Sequence, residues 1–308
     1  MARILGIWDV SRANLALGFF LEFQIRLMCA AAHPAFKKID FVFVIDRARP
    51  VTNEKFSSWI KNYNLSWHLG EMLGLLEINP DLGNIFLFDS PIQFENFLLS
   101  GKTYNKFSSG QENNYLAVSN HYQKAGRLPR FIFPEIIKKE IKNFIGDRLA
   151  VAVGLRVNDF FSPQRNSNLA AWQELFQYAF KNYPQITFLI LGRSGEFKNK
   201  ISPLPNLIFV GDRHLNLIKQ LALMEGSSFY MGTCGGLASF AFFSQFIPYL
   251  VTRFRPPKDD QQSWLKFGSA LPWQDQAVQH LCWEEESKNL LIDKFEDLRQ
   301  KLLPSTNQ

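Results

Sequence analysis

Met231-Gly232-Thr233-Cys234-Gly235-Gly236 joins the short apolar run Ser228–Met231 to the periodic stretch Leu237–Gln245. A short apolar run reads as a buried strand and apolar residues at three- and four-residue spacing read as a helix, so this segment is a strand-to-helix turn. A glycine-rich turn of that kind brings backbone N–H groups and the positive end of a helix dipole together, which is the geometry a phosphate needs. A tight turn requiring positive φ and close helix packing accounts for the same glycines, and at this point both readings stand.

Working outward, the turn closes a repeated alternation: strand Ala150–Leu155, helix Asn168–Asn182, strands Ile186–Leu191 and Leu207–Val210, helix Leu215–Met224, then the turn, and strand Pro248–Val251 beyond it. Alternating strand and helix predicts a parallel, doubly wound sheet whose ligands sit at the C-terminal strand ends. The N-terminal half opens with strand Ile4–Val10, a helix through Leu15–Ala32 and strand Phe41–Ile45, a β-α-β unit, and strand Ile85–Phe88 follows. Ser100 to Gln111 is polar and Gly/Ser-rich and reads as an exposed loop. Helical segments follow at Asn114–Lys124 and Glu135–Phe144, and Gly146-Asp147 ends the second of them. We therefore place a boundary there, giving domains 1–147 and 148–308, both α/β; Lys288–Leu303 supplies a last helix after a Pro- and Gln-rich stretch.

Composition sets limits. The 308 residues are 46% hydrophobic, enough for a large core in two domains. Cys29, Cys234 and Cys282 are far apart and form no zinc or disulfide spacing, which fits a reducing, cytoplasmic setting. The run Leu15–Ala32 is broken by Glu22, Gln24 and Arg26 and reads as a buried helix rather than a span or signal peptide. A net charge of +6 is spread without a basic block, so nucleic acid is not an expected partner; an anionic ligand or a peripheral contact with an anionic membrane surface suits it.

Beside the Gly232–Gly236 turn, Arg156 follows a strand directly, where a guanidinium can grip a phosphate through two N–H groups; a surface ion pair with Asp159 is the plainer reading. Arg165-Asn166-Ser167-Asn168 leads into a helix and adds a cation and several donors, or serves as loop and cap. Thr233 offers a hydroxyl; Cys234 reads as a small helix-start residue, with no histidine near it in sequence to make it a nucleophile. Arg253, Arg255 and Lys258 follow the last strand as phosphate contacts or as a solvated basic loop. Asp9, Asp46 and Asp89 each follow an apolar strand; such ends converge on one edge of a parallel sheet, where one carboxylate can act as general base, although Asp after a strand is also ordinary turn chemistry. No Asp-x-Asp occurs, only Asp259-Asp260, so no metal site is indicated. Trp264, Trp273 and Trp283 read as packing for the C-terminal stretch across the domains, with stacking of one of them on a nucleotide base as the alternative.

The two doubly wound halves, the Arg156 strand end with Arg165-Asn166-Ser167-Asn168 and Trp172, the Gly232–Gly236 turn and the opening Asp9 segment resemble bacterial glycosyltransferases of the GT-B fold, with two Rossmann-like domains facing across a cleft. The chain is distantly similar to heptosyltransferases and O-fucosyltransferase-like enzymes. The resemblance implies a nucleotide-diphosphate sugar as co-substrate in the C-terminal domain and a glycan or lipid-linked acceptor in the N-terminal one. By it, Arg156, Arg165, Asn166, Gly232, Thr233, Cys234, Gly235 and Gly236 contact the donor, Arg253 and Lys258 stand by its phosphates, and Asp9 is the base. It further implies metal-independent, inverting transfer with no cofactor, in surface polysaccharide assembly at the inner face of the cytoplasmic membrane. The chain departs from the heptosyltransferase Asp-Ser-Gly-Pro turn, having Thr233-Cys234-Gly235-Gly236, and from the fucosyltransferase His-x-Arg-Arg, offering Leu155-Arg156. A sugar-nucleotide epimerase and a non-catalytic sugar-nucleotide-binding or scaffold protein of the same fold are the alternatives.

Overall fold

The computed structural model describes residues 2–10, 16–45, 65–100, 104–109, 114–158, 163–254, 265–266 and 268–303; Asp46, Asp159, Arg255, Lys258, Asp259, Asp260 and Trp264 lie outside the described residues. The chain divides into two compact units, Met1–Ile132 and Phe133–Gln308.

Unit 1 comprises β1 (Ala2–Asp9), α1 (Leu17–Ala31), β2 (Phe36–Val44), α2 (Leu65–Leu75), β3 (Leu82–Phe88), α3 (Pro91–Leu99), β4 (Tyr104–Ser108) and α4 (Asn114–Ala125). Its four strands are parallel in the order β3-β2-β1-β4. The segment expected as an exposed loop therefore contains an edge strand. Its polar composition hides it, because an edge strand needs backbone pairing on one side only and little apolar surface. Leu15–Ala32 is a buried helix as expected: Trp8 meets Phe20 and Phe23 edge-on, with ring centroids 5.3 and 5.4 Å apart. Its buried polar residues have partners. Gln24 accepts from Asn79 Nδ2 at 3.4 Å, and Arg26 donates to Asn114 at 3.3 Å while lying over the Phe107 ring. Asp9 and Asp89 end or follow adjacent parts of one strand edge, since Asp9 is level with Val44 and Val44 with Phe88.

Unit 2 comprises α5 (Glu135–Ile145), β5 (Leu149–Gly154), α6 (Leu169–Asn182), β6 (Ile186–Leu191), β7 (Leu207–Phe209), α7 (Leu217–Gly226), β8 (Phe229–Thr233), α8 (Gly236–Phe242), β9 (Tyr249–Thr252), β10 (Gln279–Leu281) and α9 (Lys288–Leu302). The six strands are parallel in the order β10-β9-β8-β5-β6-β7, so the winding reverses between β5 and β8. One face is covered by α6 and α9, where Phe176, Phe188 and Phe229 surround or adjoin the fully buried Phe295. Trp273 stacks on Phe243 and donates its ring N–H to the Phe242 carbonyl, and Trp283 packs edge-on against Phe254, so both pack the C-terminal stretch within this unit.

The boundary falls after Ile132 rather than after Asp147, because α5 belongs with α7. A Cβ on Gly226 would lie 3.3 Å from Ile141 and 3.2 Å from Ile145, which measures how closely the two helices approach. Lys219 and Glu140 add an ion pair at 2.6 Å. Gly146 ends α5 with φ 59°, so the sequence signal at Gly146-Asp147 marks a helix end inside a unit, not a domain boundary. No helix among the described residues is long and apolar enough to cross a membrane.

Within unit 1 the Glu22 carboxyl accepts from the Tyr115 hydroxyl at 2.8 Å, yet burial raises its pKa from 4.5 to about 7. A carboxyl whose folded pKa exceeds its unfolded one holds an extra proton in the native state between the two values, so stability falls as pH rises through that window. In urea unfolding, the wild type is expected to lose stability from pH 5 to pH 8. Glu22→Gln should flatten that slope and be more stable at pH 8 by on the order of 1–3 kcal/mol. A variant that keeps the wild-type slope would remove Glu22 as its source.

Candidate functional site

Gly154, the last residue of β5, is level with Gly232 in β8, so the two strand ends at the reversal point of the unit 2 sheet lie side by side. Connections from these neighbouring strands lead one to α6 and one to α8, and in doubly wound sheets the place where neighbouring connections part is where ligands bind. Arg156 and the Gly232–Gly236 turn, 76 or more positions apart in sequence, are thereby brought together.

Hydrogen bonds between the two connections fix their geometry. The Arg156 N–H donates to Ser167 Oγ at 2.8 Å, and the Ser167 N–H donates back to the Arg156 carbonyl at 2.9 Å. Ser167 Oγ lies 2.5 Å from Thr233 Oγ1, and Thr233 donates to Glu286 Oε1 at 2.6 Å. With the Thr233 proton directed to the carboxylate, the Ser167 hydroxyl proton must point to Thr233, which gives the relay one direction. Arg165 reaches across to the Cys234 carbonyl at 3.3 Å and its sulfur at 3.5 Å. Burial first, and then the Arg165 charge, push the pKa of Arg156 down to about 10. Two guanidiniums thus share one strand edge, and that of Arg156 is still charged at neutral pH.

Other expected contacts have internal roles. The Thr233 hydroxyl is buried and bonded to Ser167 and Glu286, so it faces the protein interior instead of a ligand. The Asn166 amide is paired in both directions with the Asn158 backbone, accepting at 2.9 Å and donating at 3.1 Å. Arg253, with the unusual φ of 53°, donates to the Asn166 carbonyl and, at 2.9 Å, to the Gln164 carbonyl, and it meets Glu285 at 2.7 Å. It braces the loop rather than standing open to phosphate. Lys258 lies outside the described residues.

The glycines divide as well. A Cβ on Gly232 would overlap the Tyr230 hydroxyl and the Gly154 carbonyl, so packing alone explains Gly232. Gly235 has φ −163°, an ordinary extended value, and a Cβ there would meet only the Thr233 carbonyl, at 3.7 Å. Neither positive φ nor packing calls for a glycine at 235, and its effect is to leave backbone uncovered by side chain. The helix that follows, α8, is shorter than expected at seven residues, ending at Phe242.

Glu286 was not singled out by sequence. It sits in Glu284-Glu285-Glu286, directly before the Ser287 cap of α9, where an acidic run reads as a solvated helix start. In the fold it is only 5% exposed. It accepts from Thr233 at 2.6 Å, from Thr252 at 2.5 Å and from the Asn168 N–H at 2.5 Å, and its own carbonyl accepts from Asn168 Nδ2 at 3.1 Å. Among the described residues no group of three or more His, Cys, Asp or Glu side chains is placed to hold a metal ion. In unit 1, Asp9 ends β1, whose neighbours β2 and β4 make it the equivalent reversal point of that sheet.

No protein-family model matches the sequence, and no curated protein matches it by sequence. Solved structures do match by shape. The glycosyl transferase family 9 protein from Veillonella parvula superposes with TM-score 0.53 at 11% identity, covering 99% of this chain and 91% of that one. The ADP-heptose lipopolysaccharide heptosyltransferase II of E. coli superposes with TM-score 0.52 at 10% identity, covering 98% of this chain and 99% of that one. The chain has a GT-B fold. Both halves of a GT-B chain are Rossmann-like, and both reversal points described above are the places where such sheets bind ligands. At these identities it is the fold that is shared, and chemistry has to come from the residues of this chain.

The tight fit of Tyr230 under this GT-B strand edge is testable. Burial pushes its pKa up, and its hydroxyl has no hydrogen-bond partner. Gly154→Ala should destabilise by about 1–3 kcal/mol through overpacking. Tyr230→Phe should be neutral or stabilising, since it removes a buried, unsatisfied hydroxyl. The double variant should be more stable than the sum of the two predicts, as read by denaturant unfolding; strict additivity would refute the contact.

Proposed function

We propose that the chain is a glycosyltransferase that moves a sugar from a nucleotide-diphosphate donor to a hydroxyl acceptor. The observation that carries this reading is the pairing of Arg156 and Arg165 at the β5/β8 reversal point, beside a turn whose Gly235 leaves its backbone uncovered. Burial and the neighbouring cation both act against the Arg156 charge, and a diphosphate placed between the two guanidiniums would offset both effects. The GT-B fold and neighbours named as glycosyltransferases support the same reading, as does the ADP-heptose in the name of one of them.

In the reaction we propose, Asp9 takes the proton of the acceptor hydroxyl and the oxygen attacks the anomeric carbon. The bond to the nucleotide diphosphate breaks from the opposite face, which inverts the configuration. Arg156 and Arg165 stabilise the charge that develops on the leaving diphosphate, in the role a metal plays in other enzymes. Asn166 and Arg253 hold the cation-bearing loop, and Thr233, Cys234, Gly235 and Gly236 present the turn. The domain roles follow: acceptor in unit 1, donor in unit 2. A glycan or lipid-linked acceptor, work in surface polysaccharide assembly and a peripheral place at the inner face of the cytoplasmic membrane belong to the same proposal. They are supported by the net charge of +6 and by the heptosyltransferase likeness.

Calorimetry with ADP, UDP, GDP, CDP and dTDP, without metal, tests the donor site. One nucleoside diphosphate should bind the wild type, and Arg156→Ala should weaken it by about 2–5 kcal/mol, the usual loss when a buried charge loses its partner. Binding unchanged by Arg156→Ala would take the guanidinium out of the site. Asp9→Asn should bind donor normally and abolish transfer. Full turnover by that variant would remove Asp9 as base, and a changed sugar formed without acceptor would assign an epimerase instead.

A further inference from the structure

Glu286 is the carboxylate to which both connections at the β5/β8 edge are tied. Its Oε1 accepts from Thr233, which ends β8, and from Thr252, which ends β9; its Oε2 accepts from the N–H of Asn168, the cap of α6. The Asn168 side chain also donates to the Glu286 carbonyl. Through Thr233 the same carboxylate ends the relay from Ser167 and the Arg156 N–H. The residue is 118 positions from Asn168 and 53 from Thr233, so three separate segments meet on one buried side chain.

We propose that Glu286 is the positioning residue of the donor site: it sets the spacing between the Arg156–Asn168 loop and the Gly232–Gly236 turn. The donor part of this assignment rests on the proposed function; the spacing part does not. The carboxylate is the common acceptor of all three groups. The two threonine hydroxyls can also accept, with Ser167 and the Gly232 carbonyl as alternative partners for their protons, so a glutamine can keep all three contacts and an alanine none. In Glu286→Ala the Asn168 N–H and both hydroxyls lose their shared partner, so the clamp opens. Because the relay carries that opening to Ser167 and to the Arg156 backbone, the distance between the cation-bearing loop and the turn changes. Glu286 touches no substrate and acts through Thr233 and Asn168.

The test has two arms. Hydrogen exchange read by mass spectrometry, without ligand, should show Glu286→Ala raising exchange about tenfold or more in peptides covering 165–168 and 232–236, a local opening of roughly 1.4 kcal/mol, with the N-terminal end of β6 unaffected. Ile186→Ala, a buried change at that far end of the sheet, serves as the control for general destabilisation and should not single out those two peptides. Thr252→Val, which removes one donor to Glu286, should give a smaller change in the same peptides and remains informative if Glu286→Ala does not fold. In the second arm, Glu286→Ala should weaken the nucleoside diphosphate that the wild type binds by roughly tenfold or more, while Ile186→Ala binds it as the wild type does. Uniform exchange across unit 2 in Glu286→Ala and Thr252→Val, or wild-type exchange in both, would overturn the spacing role. Local opening with wild-type affinity would overturn the donor-positioning role. Local opening in a protein that binds none of the diphosphates would support the spacing role and sink the proposed function alone.

Discussion

Parallel pairing of β5 with β8, with Gly154 level with Gly232, is the constraint on which the rest of unit 2 depends. The two strands are 75 residues apart from Gly154 to Phe229, and the chain between them builds β6, β7 and their helices to one side before returning. The return leaves α6 and α8 starting from adjacent strand ends. Arg156, Arg165 and the Gly232–Gly236 turn lie on those two starts. The fit of the Tyr230 side chain beneath both glycines shows how closely the pairing is packed: neither position can hold a Cβ without moving that ring.

Electrostatics at this edge is layered. Below, a buried carboxylate gathers hydroxyl and amide protons into a fixed relay. Above, Arg156 and Arg165 share a surface where burial and mutual repulsion act against the charge of Arg156. A buried carboxylate that lost one donor would keep its desolvation cost without compensation, which makes the lower layer rigid. Under the proposed function, cations held near each other by such a support would meet the diphosphate with little reorganisation. Arg253 belongs to the support, although it carries the same charge as the other two, because its guanidinium is taken up by Gln164, Asn166 and Glu285.

Unit 1 repeats the winding on a smaller scale. Four strands in the order β3-β2-β1-β4 put Asp9 at the reversal, as Arg156 is in unit 2. Its first helix carries Glu22, Gln24 and Arg26 among apolar residues, each with a polar partner in this unit, and burial of Glu22 leaves a pH-dependent cost near neutrality. The polar residues that interrupt this helix in sequence are each met by a neighbour, Glu22 and Arg26 by α4 and Gln24 by Asn79.

Most of the regular structure was legible because it is local. Apolar runs such as Ala150–Leu155 and periodic stretches such as Asn168–Asn182 carry their own signal, and Arg156, Arg165 and the glycine turn could be named as a group because strand ends in a parallel sheet point one way. What the sequence by itself determined is thus the α/β class, the order of the main strands and helices, and the cations at the strand ends. The tertiary structure alone decided the edge strands β4 and β10, the boundary after Ile132, the packing role of Gly232 and the inward direction of Thr233. It alone decided Glu286 as well. Each of these depends on a partner tens of residues away, whether a backbone to pair with, a helix to pack on or donors to face, and neither edge pairing nor the burial of one glutamate in an acidic run leaves a periodic trace in the chain.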